Sequence, residues 1–466
     1  MAQSRRDFLR LSGCALGATA LASGLEQFGL INALARPLVP TDYKALVCIF
    51  LNGGNDGNNT VVPVTDYASY NTVRSASGLA IAQESLLPIT PPSINKQYGL
   101  HPSLPGLQTL WTQQKLAVVC NTGPLVQPLT RQQYQSGAPR PYQLFSHSDQ
   151  VTQQQTSASD DRAQTGWGGR TADNTATFNN GASFPMMTSV AGLNIFTTGA
   201  NSRPLAISPA PTPLNQVLVL SGFDSTPESV ARKAAMDALR SLDLEATLVK
   251  AASETTQQSL DISQAFGTDP TLVTTFPASS LGNQLKQVAK VIKLNLQSPA
   301  LSLNRQIFFC QLGGFDTHTG QLGTQASLLS QLNLAMKAFY DETVAQGIDS
   351  QVTTFTLSDF SRTLQAAGTG AVAGTDHAWG NHLFVMGGAV RGGDFYGVPG
   401  SNGTVFPTLQ LSGPDDTDTR GRWIPTASVE QYAATLATWY GLSAANLPVV
   451  FPLIGRFTTP NLGFMT

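Results

Sequence analysis

Continuous apolar runs, each followed by glycine or polar residues, set the pattern of this chain. They cover residues 44–51, 115–120, 305–312, 352–357 and 383–386. Runs of this length without regular polar alternation are typical of strands buried on both faces, as in a parallel sheet. We therefore predict five core strands, of which the last is short.

Residues at helical spacing lie between these strands. Before the third strand they are Leu281, Leu285, Val288 and Ile292, and before the fourth they are Leu328, Leu329, Leu332, Met336, Phe339 and Tyr340. A further helix is expected near 104–114, ahead of the second strand. Alternating strands and amphipathic helices predict an α/β fold, a doubly wound and mostly parallel sheet with helices on both faces. In such sheets, binding sites lie beyond the carboxyl ends of the strands.

The stretch from about 171 to 280 breaks this alternation. It opens with Ser, Thr, Asn and Pro residues and then predicts a helix near Ser225, which has capping-box spacing to Glu228. Pro227 suits the first turn of that helix, and its apolar side would consist of Val230, Ala234, Met236 and Leu239. We interpret the stretch as an insertion or cap over the sheet edge, within a domain spanning 36–466. A solvated surface excursion is the alternative.

The first 35 residues have the order of an export signal. Arg5 and Arg6 form a twin-arginine pattern, a small-residue apolar stretch follows at 11–25, and an Ala-Leu-Ala site ends at Ala35. The apolar stretch is short for a membrane span, and a buried N-terminal helix is the alternative. We expect export by the twin-arginine (Tat) translocase, a periplasmic or secreted mature protein, and no integral membrane anchor after cleavage.

Composition narrows the classes of partner. Charged residues make up only 12% of the chain, and the net charge is −2. Nucleic-acid binding and polybasic membrane contact both need clustered Lys and Arg, so we expect neither. Cys48, Cys120 and Cys310 lie in apolar runs, which predicts buried free thiols, with a disulfide between two of them as the alternative in an oxidising compartment.

Carboxylates and imidazoles follow three of the predicted strands, in or beside glycine-rich turns. They are Asp56 after the first strand, Asp316 and His318 after the third, and Asp359 after the fourth. Positions 316 and 318 face the same side of an extended segment, so their side chains can converge. Mixed oxygen and nitrogen ligands suit Zn²⁺, Mn²⁺ or Fe. The sequence predicts a metal site at the sheet edge, against the alternatives of a turn-forming Asp56, a hydrogen-bonded His318 and a helix-capping Asp359.

A second concentration of such groups lies at 374–382. It holds Asp376, His377 and His382, although the whole chain has only five histidines. We expect two of the three to bind metal and the third to orient or contact the substrate. Arg362, three residues after Asp359, either forms an ion pair with it or binds an anion.

The two remaining histidines have different neighbours. His101 precedes Pro102 and a predicted helix, which favours a capping role. His147 directly follows Ser146, so that an imidazole stands beside a hydroxyl.

These motifs together resemble a large family of twin-arginine-exported bacterial proteins that share the DUF1501 domain. The matching segments are 50–63, 146–147, 165–170, 313–318, 358–363, 374–382 and 387–393. The family is similar in fold to the alkaline phosphatase-like superfamily, which includes sulfatases and phosphodiesterases. The resemblance implies a hydrolase of phosphate or sulfate esters that binds two divalent ions (Zn, Mn, Mg or Ca).

The same resemblance implies roles for individual residues. Asp56, Asp316, His318 and Asp359 would bind metal, with His377 or His382 as the late histidine ligand, and Ser146 would be the nucleophile. The complete candidate set adds Asp376 to the metal ligands and includes both histidines, and it adds Arg362 and His147 to the catalytic residues. Thr60 is the alternative nucleophile, and Arg170 is the alternative group for the ester oxygens. Phe360 stands where the superfamily has a histidine after the strand-end aspartate, so one site loses an imidazole. A metal-stabilised, non-catalytic binding or surface-assembly protein of the cell envelope is the alternative function.

Overall fold

The computed structural model describes residues 40, 42–179, 182, 184–218, 224–242, 244–298 and 301–466. The predicted export signal lies outside the described residues. Within them, the strands are β1 Lys44–Asn52, β2 Val61–Pro63, β3 Leu87–Ile89, β4 Tyr98–Leu100, β5 Leu116–Gly123, β6 Met187–Ser189, β7 Pro204–Ala206, β8 Arg305–Gly313, β9 Val352–Ser358, β10 Arg362–Ala367, β11 Gly374–His377, β12 Asn381–Met386, β13 Phe395–Tyr396 and β14 Ala427–Ser428.

Nine of these strands form one central sheet. Their order is β13-β5-β12-β9-β1-β8-β6-β7, with β14 also paired to β5. Strand β12 runs antiparallel to both of its neighbours, and the other pairings are parallel. The five predicted core strands are therefore confirmed, and the fifth is the antiparallel one.

Alternate residues of β1 pack into two separate hydrophobic cores, one on each face of the sheet. The sequence of the strand is therefore continuously apolar. Val47 and Ile49 pack into one core, while Cys48 and Phe50 pack into the other. Helices Ser280–Gln297 and Gln321–Ala345 contribute to the first core, and helix Val429–Tyr440 contributes to the second. Helices thus cover both faces of the sheet, and the predicted α/β class is confirmed.

The other described α-helices are shorter or lie at the periphery. They are Gly57–Thr60, Tyr67–Arg74, Pro105–Thr112, Arg131–Gln135, His147–Thr156, Trp167–Thr175, Pro227–Arg240, Thr247–Phe266 and Leu447–Val450. Strands β2, β4 and β3 form a small separate sheet, and β10 pairs with β11 as a hairpin. In that hairpin, Arg362 at the start of β10 lies opposite His377 at the end of β11.

The stretch from 171 to 280 contributes to the sheet as well as to the surface. Strands β6 and β7 extend the sheet beyond β8. The predicted helix is present as Pro227–Arg240, but its N-cap is Thr226 rather than Ser225, since the Thr226 side chain accepts a hydrogen bond from the Ser229 backbone N–H. Val230 and Leu239 on that helix are 57% and 68% exposed, so its predicted apolar side is not buried.

The three cysteines of the described chain, Cys48, Cys120 and Cys310, are buried free thiols. Burial in the two cores raises the pKa of each thiol, because a thiolate would lose its hydration there. The predicted free-thiol state is confirmed.

Candidate metal centre

Three strand ends meet at the edge of the sheet where the candidate residues lie. Strand β1 is parallel to β8 on one side, with Asn52 opposite Gly313, and to β9 on the other, with Leu51 opposite Ser358. The loops that follow these strands therefore start at the same level. The β10–β11 hairpin begins just after β9, so its last residue, His377, reaches the same edge.

The side chains of His147, Asp316 and His377 converge there. Nε2 of each imidazole lies 3.4 Å from Asp316 Oδ1, and one ligand atom from each residue lies within 4.8 Å of the others. Two ligand atoms held about 2.0–2.1 Å from one tetrahedral ion stand roughly 3.3–3.4 Å apart. These three residues, which we call the metal group, thus have the donor types and much of the spacing of a transition-metal site.

Outer partners leave the inward nitrogens of both imidazoles free to bind. His147 Nδ1 lies 2.7 Å from Asp359 Oδ2, and His377 Nδ1 lies 2.7 Å from the Phe145 carbonyl oxygen. Both oxygens accept, so each Nδ1 carries the proton and each neutral ring has its lone pair on Nε2. His147 Nε2 is buried and has no hydrogen-bond partner within the described chain. A buried lone pair without a partner is what a metal ligand needs, so the residues fit a bound cation.

His318 lies at the open side of the metal group. Its Nε2 is 2.9 Å from His377 Nε2 and 3.2 Å from Asp316 Oδ1, and its Nδ1 is 3.3 Å from Asp376 Oδ1. Since His377 Nε2 presents a lone pair, a proton or a cation has to lie between the two nitrogens. The His318 side chain is 43% exposed, so it is also accessible from solvent.

The local charges favour the ligating form of Asp316 and His377, whereas they favour protonation of His147. Burial would raise the pKa of Asp316, but the Arg362 guanidinium and the nearby imidazoles outweigh it and lower that pKa. Burial lowers the pKa of His377, which favours its neutral form. The hydrogen bond that His147 donates to Asp359 raises the pKa of His147, so a metal would compete with a proton at this ring.

Asp376 contacts His318 with one carboxylate oxygen and forms an ion pair with Arg420 through the other. Its Oδ2 lies 2.5 Å from Arg420 Nη1. Burial alone would raise its pKa, but Arg420 and His318 lower it. Asp376 thus supports His318 and is not a member of the metal group.

Asp56 has other partners than those predicted. It is 1% exposed, caps helix Gly57–Thr60, and forms a buried ion pair with Arg74 and a hydrogen bond with Gln321. Its carboxylate is thus already neutralised, which corrects the expectation of a metal ligand at this position.

Arg362 is also placed differently from the sequence expectation. Its side chain is fully buried and donates to the carbonyl oxygens of Gly53, Gly54, Phe315 and Thr375 and to Asp316 Oδ1. A guanidinium with all these partners and no exposure has no route to a substrate. It ties the three strand-end loops together, which corrects the expectation of a substrate-binding arginine.

His382 lies on β12 and points away from the metal group. It is buried, its Nδ1 accepts from the Asn121 backbone N–H, and its ring stacks on Phe406 at 4.6 Å. Burial lowers its pKa to about 3. Only four residues separate it from His377 in the sequence, yet it is a core histidine, and the expectation that it binds metal is corrected.

The candidate nucleophiles remain predictions. Ser146 precedes His147 and donates from Oγ to Asp149 Oδ2 at 2.7 Å, and no hydrogen bond between it and the metal group is present in the described chain. Thr60 is buried and donates to the Asp56 carbonyl oxygen. Arg170 donates to the Val450 and Thr165 carbonyl oxygens, so it serves the packing of helix Trp167–Thr175.

Two results at the site were not predicted from the sequence. His147 belongs to the metal group, in addition to lying next to the candidate nucleophile Ser146. Asp359 contacts the metal group only through its hydrogen bond with His147. Arg74 and Arg420 neutralise carboxylates that the sequence assigned to metal. A signal was present for His147, since Ser146-His147 is one of the segments that carry the family resemblance, whereas isolated arginines carry no such signal. His101 Nδ1 accepts from the Ser103 backbone N–H. The N-cap of helix Pro105–Thr112 is Leu104, without a side-chain hydrogen bond, so the predicted capping role of His101 is wrong.

Comparison with known proteins places the chain in a family. Residues 43–408 match DUF1501, a family described as proteins of unknown function, and the chain belongs to that family. No curated protein matches the sequence.

Solved structures resemble the fold at low identity. The C-terminal periplasmic domain of EcEptC from Escherichia coli, in complex with Zn, is 11% identical over 88% of this chain and 87% of its own, with a TM-score of 0.33. An alkaline phosphatase superfamily protein from Vibrio parahaemolyticus is 9% identical over 88% and 69%, with a TM-score of 0.34. The phosphonate monoester hydrolase of Agrobacterium radiobacter is 10% identical over 86% and 74%, with a TM-score of 0.31. Likeness at this level carries no inference about substrate.

Of the helices in the described ranges, none has the length and apolar character needed to cross a membrane.

Proposed function

We propose that the protein is a metal-dependent hydrolase of phosphate or sulfate esters. The observation that carries the proposal is the metal group, in which the His147 and His377 Nε2 atoms each lie 3.4 Å from Asp316 Oδ1 while their Nδ1 protons are held by Asp359 and Phe145. Structural ion-pair networks also bring carboxylates and imidazoles together, but they do not bury an imidazole lone pair without a partner.

The residues divide the work in a simple way. His147, Asp316 and His377 would hold a divalent cation, with His318 as a further donor. When bound, such an ion polarises an ester oxygen and lowers the pKa of a nearby water or hydroxyl. Asp359 and the Phe145 carbonyl orient the two rings, and Arg362 keeps Asp316 ionised. His318 is exposed and lies within hydrogen-bonding distance of His377 Nε2, so it is positioned to accept or supply a proton at its own Nε2.

The nucleophile that we propose is the Ser146 hydroxyl. It starts the helix that carries His147, and its proton already points to Asp149 Oδ2 at 2.7 Å. A carboxylate in this position can accept the proton as the oxygen attacks the phosphorus or sulfur atom and displaces the alcohol of the ester, after which water hydrolyses the ester formed on Ser146. A metal-bound water is the alternative, and Ser146→Ala separates the two, since hydrolysis persists only if water attacks.

Metal content and ester turnover test the proposal together. Protein freed of metal with a chelator is reloaded separately with Zn²⁺, Mn²⁺, Mg²⁺ and Ca²⁺, and assayed on phosphate monoesters, phosphate diesters and sulfate esters. We expect one ester class to be turned over only by loaded protein, and His147→Ala and His377→Ala to lose metal and turnover together. His382→Gln is the matched control, because this histidine lies outside the metal group, and it should retain both. Turnover in fully metal-free protein would refute the proposal.

The alternative is a metal-stabilised binding or surface-assembly protein. Two observations favour it: Phe360 supplies no ligand after Asp359, and no contact joins Ser146 to the metal group within the described residues. The same experiment separates the two functions. Metal uptake that raises the melting temperature without turnover of any ester class would favour the alternative.

We also propose that the protein is exported to the periplasm or beyond through the twin-arginine route, on the strength of Arg5, Arg6 and the Ala-Leu-Ala site at 33–35. Replacing both arginines with lysine should hold the precursor in the cytoplasm. Fractionation with an antibody to the protein measures this, and unchanged export would contradict it.

A further inference from the structure

We propose that this site takes a single metal ion, because the buried Arg362 guanidinium permanently supplies the charge that a second ion would bring. The inference rests on the proposed function and differs from the pair of ions that the family resemblance implies. It is carried by the contacts of Arg362, by the surroundings of Phe360 and by the partners of the neighbouring carboxylates.

Arg362 lies among groups that would otherwise attract a cation. Its Nη2 donates to the Gly53 carbonyl oxygen at 2.7 Å, to the Phe315 carbonyl oxygen at 3.1 Å and to Asp316 Oδ1. Strand-end carbonyls together with a carboxylate form an oxygen-rich pocket of the kind that hard cations bind. The Arg362 guanidinium thus places its positive charge among these oxygens.

Phe360 fills the space beside it. The ring is fully buried and lies 4.8 Å from the His147 ring and 4.6 Å from the His377 ring. It also packs against Gly54, where an added Cβ would come within 2.5 Å of the ring. Phenylalanine offers no lone pair, so the position next to Asp359 contributes packing where a second ion would need a ligand.

The remaining carboxylates near the site already have partners, including Asp376, which is paired with Arg420. Asp359 is fully buried, with Oδ1 accepting from the Gly53 backbone N–H and Oδ2 accepting from His147. Asp56 is paired with Arg74. Each of these groups already has a partner of opposite polarity, so a second divalent ion would meet excess positive charge and too few free ligands.

Metal stoichiometry tests the inference directly. Metal-free protein is dialysed against excess Zn²⁺ or Mn²⁺, freed of loose ions, and measured by elemental analysis against protein concentration from amino-acid analysis. We expect one ion per chain. Two ions per chain would overturn this inference and leave the proposed hydrolase intact, whereas no ion of either kind would overturn both.

Two variants test the cause. Phe360→His restores an imidazole beside Asp359, and we expect it still to bind one ion, because Arg362 is unchanged. A rise to two in Phe360→His would show that Phe360 rather than Arg362 sets the limit, and would overturn the role given to the arginine. The double variant Phe360→His with Arg362→Met, checked for folding by circular dichroism, should bind more than one ion. A folded double variant that still binds only one ion would also overturn the role given to Arg362. If the double variant does not fold, the stoichiometries of the unsubstituted protein and of Phe360→His decide the question.

Discussion

Two adjacent strand ends carry the same short motif and put it to different uses. Gly53-Gly54-Asn55-Asp56 follows β1, and Gly313-Gly314-Phe315-Asp316 begins at the last residue of β8, its parallel neighbour. Asp56 is 1% exposed and held by Arg74, whereas the Asp316 side chain is 48% exposed and faces three imidazoles. A glycine-rich strand end thus places a carboxylate at the sheet edge, but its surroundings decide whether it supports the fold or binds a ligand.

The difference comes from which cation each carboxylate meets and from how deeply it lies. Arg74 is fully buried and also donates to the Thr363 and Leu364 carbonyl oxygens, so the Asp56 pair joins the first loop to β10. Arg362 reaches Asp316 from the protein side only, which leaves the outer face of that carboxylate open. Substitutions at the two strand ends and around them should therefore have different effects. We expect these to range from a large loss of stability to a small change in the pH dependence of stability.

Replacing Asp56 with Ala should have the largest effect on stability. It leaves the Arg74 guanidinium buried without its carboxylate, a loss of about 3–5 kcal/mol in the free energy of unfolding. Chemical denaturation of the metal-free protein measures it. Asp66→Ala is the control, because its pair with Lys96 is exposed and should cost less than about 1 kcal/mol. Equal losses in the two variants would contradict the contrast.

Replacing the first glycine of each motif should change the free energy of unfolding by nearly as different amounts. Gly53 has φ +112°, and an added Cβ would lie 2.3 Å from the Asp316 backbone nitrogen, whereas one at Gly313 would meet nothing within 4 Å. Gly53→Ala should therefore lower the free energy of unfolding by about 3 kcal/mol, from backbone strain and overpacking. Gly313→Ala should change it by less than about 0.5 kcal/mol. Denaturation curves of the two variants compare them, and similar midpoints would show that the loops are equally tolerant.

Asp316→Asn keeps the shape of the side chain and removes its charge. Metal affinity should fall by at least about 100-fold, since even outer partners of metal ligands are worth 10–100-fold. Stability of the metal-free protein should change by no more than about 1 kcal/mol, because Arg362 keeps its carbonyl partners. Calorimetric titration with Zn²⁺ measures the affinity. A variant that binds metal as tightly as the natural chain would remove Asp316 from the metal group.

The contrast between a metal-group residue and a core residue also holds for His377 and His382. The smallest effect that we predict is the contribution of the core histidine, His382, to the pH dependence of stability. Burial lowers the pKa of His382 to about 3, so between that value and the usual 6.5 the unfolded chain binds a proton that the folded chain does not. Stability should fall as pH drops below 6.5, by about 2 kcal/mol by pH 5 at 1.36 kcal/mol per unit. His382→Gln should remove that part of the slope, measured by denaturation at several pH values. An unchanged slope would mean that His382 does not titrate in this way.

The sequence predicted the core strands well because a strand that is buried on both faces has a continuous apolar run. The runs at 44–51 and 305–312 became β1 and β8, and alternate residues of β1 feed two cores. The direction of β12 could not be predicted, because a buried strand has the same apolar pattern whether it runs parallel or antiparallel. Thr226 displaced Ser225 as the N-cap, which is a shift of one residue between two hydroxyl side chains.

The candidate site was predicted in part, and the misses have one physical cause. Asp316 and His377 were expected to bind metal and lie in the metal group, and Asp359 acts one step removed, through His147. Asp56 and His382 lie in the core, where a buried arginine and an aromatic ring satisfy them. Sequence shows the donor atom but not its partner, and the partners here are separated by tens to hundreds of residues: Asp359 and His147 are 212 apart, and Arg362 and Asp316 are 46 apart.

The sequence by itself determined the class of fold, the sheet edge at which polar side chains collect, and membership of the family. These properties depend on apolar periodicity and on glycine-rich turns, which act over a few neighbouring residues. Only the tertiary structure decided which carboxylates are neutralised by Arg74 and Arg362 and which imidazole lone pairs remain free. Ion pairing and burial depend on distances of a few ångströms between segments that are remote in the chain, and those distances exist only once the sheet has formed.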